Sequence, residues 1–329
     1  MTRPILVFVC LLLTVFLLTG RPVEAQQPTK VPRIGFLSPF SASALANRVE
    51  GFRQGLRELG YEEGKNIVIE YRYSDGQFDR LPNLAAELVS DNVDLVVTQG
   101  EAAIRALKQV SKTIPIVVGV TGDLVITGHA ASLARPGGNI TGFVDTSPDL
   151  SGKRLELLKE ILPKVSRIAV LWNGTNPVKI FDFKETETAA HALGLNLQSV
   201  EVSAPKDFEN GFKAVTIQHS RAIVVLQDGL TIANAGKIVN FAAKSHLPAM
   251  YGSSEFVDVG GLMSYAANFP DLFRRSAAYV DKILKGTKAA EMPVQQPTKF
   301  EFIINLKAAK QIGLTIPPNV LARADKVIR

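Results

Sequence analysis

A chain of 329 residues is longer than one hydrophobic core usually serves, so we expect two domains of roughly 100–150 residues each. With 46% hydrophobic and 21% charged residues, the composition is that of a globular protein and excludes a disordered or fibrous one. The net charge is +6, but the basic residues are scattered and form no long run of like charges, which argues against nucleic-acid binding.

The N-terminus has the pattern of an export signal. Arg3 precedes an apolar run at residues 5–18, turn-forming residues follow, and Ala25 ends a small-x-small-like cleavage site. The run is shorter than the roughly 20 residues that span a bilayer as a helix. We therefore predict a signal peptide at residues 1–25, cleaved after Ala25, and a periplasmic location. Cys10, the only cysteine, lies in this segment, so the exported protein would contain no thiol or disulfide.

Strand and helix alternate through the first half of the mature chain. The predicted strands are apolar throughout, as strands covered on both faces must be, which favours a parallel sheet with helices on either side. The helices show apolar residues at alternating spacings of four and three, as at Val49, Phe52 and Leu56. The predicted strands are 34–37, 67–73, 93–98, 115–120 and 140–144, and the helices are 45–59, 81–89, 102–110 and 124–133.

The pattern restarts at Arg167, after a helical connector at residues 151–162. Residues 167–176 repeat the apolar run and polar turn of residues 33–39, one domain length earlier, which indicates a duplicated architecture. The predicted strands here are 168–171, 197–202, 222–226 and 248–251, and the helices are 178–193, 208–218 and 232–243. The fold class is therefore α/β, with two doubly wound parallel-sheet lobes joined by a hinge.

The C-terminal part is predicted to cross between the lobes. Residues 260–265 and a helix at 272–284 would return the chain to the first lobe, and residues 293–297 would cross back to a strand at 300–304 and a helix at 306–312. Lobe 1 would then comprise residues 31–145 and about 264–292, and lobe 2 residues 146–263 and about 293–329.

Sequence signatures of common enzyme classes are missing. The chain has no Gly-x-Gly-x-x-Gly after a strand, no Gly-x-x-x-x-Gly-Lys, no His-Glu-x-x-His and no Gly-x-Ser-x-Gly. The four histidines are far apart in sequence and none has a partner at metal-ligand spacing, so we predict neither a metal nor a cofactor. Two carboxylates in a cleft could still act as acid and base, which leaves an isomerase or racemase as the alternative function.

Candidate ligand-binding residues lie in the loops at the carboxyl ends of the predicted strands, where open parallel sheets bind their ligands. Their polar side chains equally suit helix capping, and Trp172 could stack on a ligand or pack in the core. Asp123 and Asp228 could each receive a ligand ammonium group or be turn residues. The candidates are Ser38, Thr98, Gln99, Glu101, Thr121, Asp123, Trp172, Asn173, Asn176, Asp228 and Tyr251.

Several longer stretches carry a family resemblance that covers essentially the whole mature chain. They are residues 32–38 (PRIGFLS), 52–61 (FRQGLRELGY), 131–142 (ASLARPGGNITG), 260–265 (GGLMSY), 297–300 (PTKF) and 314–318 (LTIPP). In these the chain resembles ABC transporter substrate-binding proteins of the tryptophan/tyrosine-binding-like family, which have the type I periplasmic binding protein fold.

The resemblance implies a receptor that binds a small solute, an amino acid or related organic acid, between its lobes. It also implies closure about a hinge and delivery to a membrane permease with its ATPase, by a monomer without cofactor or catalytic residues. Two sites depart from the family pattern: Glu101-Ala102 stands where a small hydroxyl residue and proline are frequent, and Asp123-Leu124 where Asp-Pro is usual. A DNA-binding repressor shares this lobe architecture but would need a helix-turn-helix at the N-terminus, where this chain has an export signal.

Overall fold

The computed structural model describes residues 30–145 and 148–329, and the predicted signal peptide lies outside the described residues. Pro32–Arg329 forms one compact unit. No helix of the described ranges is long and apolar enough to cross a membrane.

The first sheet has five parallel strands in the order β2-β1-β3-β4-β5. Each is almost wholly buried except β2 at the edge, as expected for a sheet covered on both faces. The strands are β1 Arg33–Ser38, β2 Val68–Tyr73, β3 Leu95–Gln99, β4 Ile116–Thr121 and β5 Ile140–Val144.

The second sheet has seven strands in the order β12-β11-β10-β9-β8-β6-β7. All neighbours are parallel except β10 and β11, which are antiparallel. Together the two sheets and their helices confirm the predicted two-lobed α/β fold. The strands are β6 Arg167–Asn173, β7 Asn196–Val202, β8 Ile223–Val225, β9 Ala249–Tyr251, β10 Met263–Ala267, β11 Phe300–Asn305 and β12 Lys326–Ile328.

Helices cover both sheets and connect their strands. Those up to the first strand of the second sheet are α1 Ala46–Glu58, α2 Leu81–Ser90, α3 Glu101–Val110 and α4 Pro148–Ile161. Those after it are α5 Pro177–Ala192, α6 Phe208–Ile217, α7 Gly229–Ala233, α8 Ala235–Lys244, α9 Glu255–Asp258, α10 Phe269–Leu284, α11 Leu306–Gln311 and α12 Pro318–Leu321. Single 3-10 turns occur at Phe78–Arg80, Pro205–Asp207 and Ala289–Glu291.

Side chains of β6 alternate between two cores. Ala169 and Leu171 join one apolar cluster, while Ile168, Val170 and Trp172 join another on the opposite face of the sheet. This alternation follows from the two-residue period of a strand. The alternation therefore determines which side chains at the end of β6 point into a core and which can face the neighbouring lobe.

The chain crosses between the lobes after β10. This strand pairs with β9 and β11 of the second sheet, and α10 then packs on α1 and β4 of the first. Residues through Ala267 therefore pair with the second sheet. The sequence pattern predicts that the chain crosses a few residues earlier, near residue 264. The full lobe assignments by residue range stay a prediction.

One predicted helix is wrong. Residues 124–133 form consecutive turns, because the Asp123 carboxylate caps only a short turn and Gly128 has a left-handed backbone, with φ of 71°. The segment lies between β4 and β5.

Candidate functional site

A cavity of about 300 Å³ opens between the two lobes. The first lobe contributes the ends of β3 and β4 and the start of α3, and the second contributes the loops that follow β6, β7 and β8. Carboxyl ends of parallel strands meet at one sheet edge, so each lobe presents its loops to the other. The volume is at the lower end of the range for small-molecule sites.

The lobes touch each other around this cavity. The guanidinium Nε of Arg48 on α1 donates to Glu255 Oε1 on α9 at 2.6 Å. A methyl group built on Gly122, just after β4, would lie 2.7 Å from Cγ1 of Val178 on α5. These contacts join elements on the two sheets, and we call this arrangement, with the lobes in contact, closed.

Asp228 is the centre of the polar wall in the second lobe. Its Oδ1 accepts from Asn173 Nδ2 at 2.7 Å and from the backbone N–H of Leu230 at 2.8 Å, and its Oδ2 accepts from Asn176 Nδ2 at 2.8 Å. All three donors are neutral, so its negative charge has no cationic partner among them. A carboxylate offers about four acceptor positions. These neutral donors leave the negative charge of Asp228 without a cationic partner at the cavity wall.

The facing wall of the first lobe is held by a buried guanidinium. Arg48 is 3% exposed, lies 4.6 Å from the Phe269 ring centroid, and donates to Gln99 Oε1 as well as to Glu255. Gln99 Nε2 in turn donates to Ser38 Oγ at 3.1 Å. This chain of bonds fixes the Gln99 amide at the cavity wall and joins it to the interlobe ion pair.

Helix α3 brings charge to the same wall. Glu101, its first residue, lines the cavity, and its carboxylate oxygens lie 3.0 and 3.1 Å from His129 Nε2. Arg105, one turn later, also lines the cavity and is exposed. Gly100 at the N-cap gives α3 no side-chain cap, whereas Asn176 and Asp228 cap α5 and α7. The N-terminus of α3 thus keeps backbone N–H groups that favour an anion.

The rest of the lining is largely apolar. It includes two phenylalanine rings from the first lobe and aliphatic residues from the second. The apolar lining residues are Pro39, Phe40, Phe78, Ala102, Val120, Pro177, Ala204, Pro205, Leu230 and Ile232. Such a mixture suits a ligand with a polar end and an apolar body.

Buried charged residues lie at the end of β5, the last strand of the first sheet. Asp145 Oδ2 accepts from Nε2 of Gln227, a cavity-lining residue, at 3.0 Å. Burial raises the pKa of the Asp145 carboxyl, with nearby Arg154 and Lys179 opposing that shift, and burial lowers the pKa of Arg154. The hydrogen bond from Gln227 to Asp145 joins the end of β5 to a residue of the cavity wall.

Of the eleven residues predicted from sequence, the structure brings six to the cavity. The six are Gln99, Glu101, Thr121, Asn173, Asn176 and Asp228.

The other five lie elsewhere. Thr98 Oγ1 donates to the Leu37 carbonyl, Ser38 Oγ accepts from the Phe40 N–H, and the Asp123 carboxylate caps a turn. Trp172 stacks on Phe183 with centroids 4.8 Å apart and donates from Nε1 to Ser199 Oγ at 2.9 Å, because strand alternation directs it to the core face.

Tyr251 is the fifth. It is fully buried against Phe256, and burial raises the pKa of its hydroxyl. In this structure Trp172 and Tyr251 are therefore core residues.

Sequence analysis missed several lining residues. Arg48 and Arg105 lie on amphipathic helices, where an arginine is usually solvated. Phe40 lies in the loop after β1, and Phe78 is the first residue of a short 3-10 turn. The only local signal was that Phe40 follows the Ser38-Pro39 turn after β1. No group of three or more His, Cys, Asp or Glu in residues 30–145 and 148–329 is placed to hold a metal ion.

Comparison with known proteins defines the class. A model of the ABC transporter substrate binding protein family matches residues 33–328, and the chain belongs to that family. It is therefore a substrate-binding receptor of the ABC transporter type, as its two-lobed fold and interlobe cavity indicate.

Individual relatives are similar over most of their length. The chain is 24% identical to a tyrosine-binding protein of Clostridioides difficile (strain R20291) over 87% of this chain and 82% of that one. It is 28% identical to a Streptococcus pneumonia ABC domain solved in complex with L-Trp, with a TM-score of 0.84 over 90% of this chain and 99% of that one. A conserved domain protein from Vibrio cholerae is 29% identical, with a TM-score of 0.84 over 91% and 100% of the chains.

Proposed function

We propose that this receptor binds an α-amino acid with an aromatic or large apolar side chain. The observation that carries the proposal is Asp228, a carboxylate at the cavity whose hydrogen-bond partners are all neutral. A ligand ammonium group would supply the cationic partner in a charge-assisted hydrogen bond.

The other end of such a ligand also has a complementary surface. The ligand carboxylate would lie at the uncapped N-terminus of α3 and near the guanidinium of Arg105. The carboxylate of Glu101, which contacts His129, would repel the ligand carboxylate. The ligand carboxylate would therefore bind on the side of the helix N-terminus away from Glu101. The side chain would contact Phe40, Phe78 and the aliphatic lining. Relatives that bind tyrosine or L-Trp support the same ligand class.

The proposal includes export and transport. The predicted signal peptide at residues 1–25 would direct the protein to the periplasm, where it would act as a monomer and deliver its ligand to a permease and ATPase. N-terminal sequencing of the exported protein tests cleavage after Ala25, and light scattering tests the monomer.

The ligand would leave chemically unchanged, since the proposed role is binding. Chiral chromatography after incubation with each bound amino acid tests this point. Conversion to the other enantiomer would support the racemase alternative instead.

The sharpest test pairs a protein variant with ligand analogues. Calorimetry would compare L-Trp, L-Tyr and L-Phe with 3-phenylpropionate, which lacks the ammonium, and phenethylamine, which lacks the carboxylate. Asp228→Asn should weaken amino-acid binding by about 10- to 100-fold, the range for one hydrogen bond to a charged group. It should change 3-phenylpropionate binding much less.

Arg105→Gln should weaken binding of the ligands that carry a carboxylate, namely the amino acids and 3-phenylpropionate. It should affect binding of phenethylamine least. If none of the amino acids binds the wild-type protein, or if Asp228→Asn weakens all analogues equally, the proposed ligand pose is wrong.

A further inference from the structure

A second cavity, of about 330 Å³, lies on the first lobe and shares no lining residue with the interlobe cavity. It is formed by the C-terminal end of α1, the middle of α10, Phe143 of β5 and the crossing segment at residues 292–295. We call it the α1–α10 pocket.

The inner part of this pocket is apolar. Phe143 and Tyr279 pack edge to face with centroids 5.3 Å apart, and Met292 is buried beside them. Tyr279 is already satisfied, because its hydroxyl donates to the Pro293 carbonyl at 2.7 Å. Leu59, an exposed large apolar side chain at 41%, forms part of the wall.

Three cations surround this apolar surface. Arg274 is neutralised, since it pairs with Glu58 at 3.0 Å and with Asp271 at 2.8 Å. Arg275 lies 4.8 Å from the Phe143 ring centroid and donates only to the neutral Gln295 Oε1, at 2.7 Å. Within residues 30–145 and 148–329, neither Arg275 nor Lys282 has a carboxylate at ion-pair distance.

The pocket therefore has a net positive rim over a low-dielectric base. A charge interaction is stronger beside apolar groups than in bulk water, so an anion gains more here than at an isolated surface lysine. An apolar body attached to that anion would cover the exposed lining residues Leu59, Ala278 and Pro293 and add the free energy of their burial.

We propose that the α1–α10 pocket is a second ligand site, for an anion with an apolar body whose acidic group is a carboxylate or a phosphate. Arg275 and Lys282 hold the acidic group, and the exposed apolar wall formed by Leu59, Ala278 and Pro293 contacts the body. This site is independent of the amino-acid site proposed above.

Benzoate and phenyl phosphate are suitable probes, with inorganic phosphate to isolate the contribution of the apolar base. Calorimetry should show that one or both aromatic probes bind the wild-type protein, and more tightly than inorganic phosphate. Binding should fall by about tenfold or more in Arg275→Gln/Lys282→Gln, consistent with loss of two charged donors.

Two controls separate this site from the amino-acid site and from unspecific charge effects. Arg105→Gln removes the cation proposed to hold a carboxylate in the interlobe cavity and should leave probe binding unchanged. Lys310→Gln removes an exposed lysine on α11 and should also have no effect. The single variants Arg275→Gln and Lys282→Gln give intermediate affinities if both cations take part.

The proposal is overturned if neither aromatic probe binds, if the double variant binds them as tightly as wild type while retaining its unfolding transition, or if Arg105→Gln abolishes probe binding. An equal affinity for inorganic phosphate and phenyl phosphate would likewise contradict the role of the apolar wall formed by Leu59, Ala278 and Pro293.

Discussion

Trp172 is the penultimate residue of β6, and its side chain belongs to the core. The indole stacks on Phe183 and is 7% exposed. Trp172→Phe should lower the free energy of unfolding by about 1–3 kcal/mol, because the smaller ring leaves a void and the hydrogen bond to Ser199 is lost. Urea denaturation measures this change.

Amino-acid affinity should stay within about twofold of wild type in Trp172→Phe, because the indole lies off the cavity wall. Calorimetry provides the comparison. A large loss of affinity at unchanged stability would instead place the indole against the ligand.

Individual site residues were only partly predictable. The sequence places polar residues after strands, but capping and binding require the same chemistry. Asp228 does both, since it caps α7 and lines the cavity, whereas Asp123 caps a turn and lies off the cavity wall. The difference depends on which face of the loop points to the other lobe, and no local pattern encodes that direction.

At the scale of elements, the close packing of α1 on α10 anchors the returning helix to the first lobe. A methyl group built on Gly55 would lie 2.0 Å from the Arg274 carbonyl oxygen, a backbone atom that can move only with its helix. Gly55→Ala should therefore lower the free energy of unfolding by about 1–3 kcal/mol or more through overpacking.

Gly236→Ala is the matched control. Gly236 is also helical, in α8, but a methyl group built there meets nothing within 4 Å. Alanine has the higher helix propensity, so this variant should be more stable by up to about 1 kcal/mol. Thermal and urea unfolding of both variants would test the contrast, and equal effects would show that α1 and α10 can separate without loss of stability.

Hydrophobic periodicity located most strands and long helices, because a buried strand or an amphipathic helix carries its pattern locally. It failed for short elements. Helix α9 has only Glu255–Asp258, too few residues for a helical period, yet it supplies the carboxylate that holds Arg48. The apolar residues of 124–133 have helix-like spacing, but the segment forms turns and bends in place of a helix.

For the whole molecule, ligand affinity depends on how readily the lobes close. A ligand that binds only the closed arrangement loses affinity in proportion to any free energy that opposes closure. The buried ion pair between Arg48 and Glu255 favours closure. The lobes are closely packed at Gly122, where an added methyl group would overlap Val178. These interlobe contacts come from residues distant in sequence, so they could not be predicted from local patterns.

Gly122→Ala should test this dependence directly. Its methyl group would lie 2.7 Å from Val178 Cγ1, so the closed arrangement is opposed while an open one accommodates the change. We expect amino-acid affinity to fall about tenfold, with the unfolding transition of the unliganded protein nearly unchanged. Val178→Ala removes the opposing methyl groups, so Gly122→Ala/Val178→Ala should recover most of the affinity. Failure of the double variant to recover it, with both variants folded, would show that Gly122 acts on the ligand itself and not on closure.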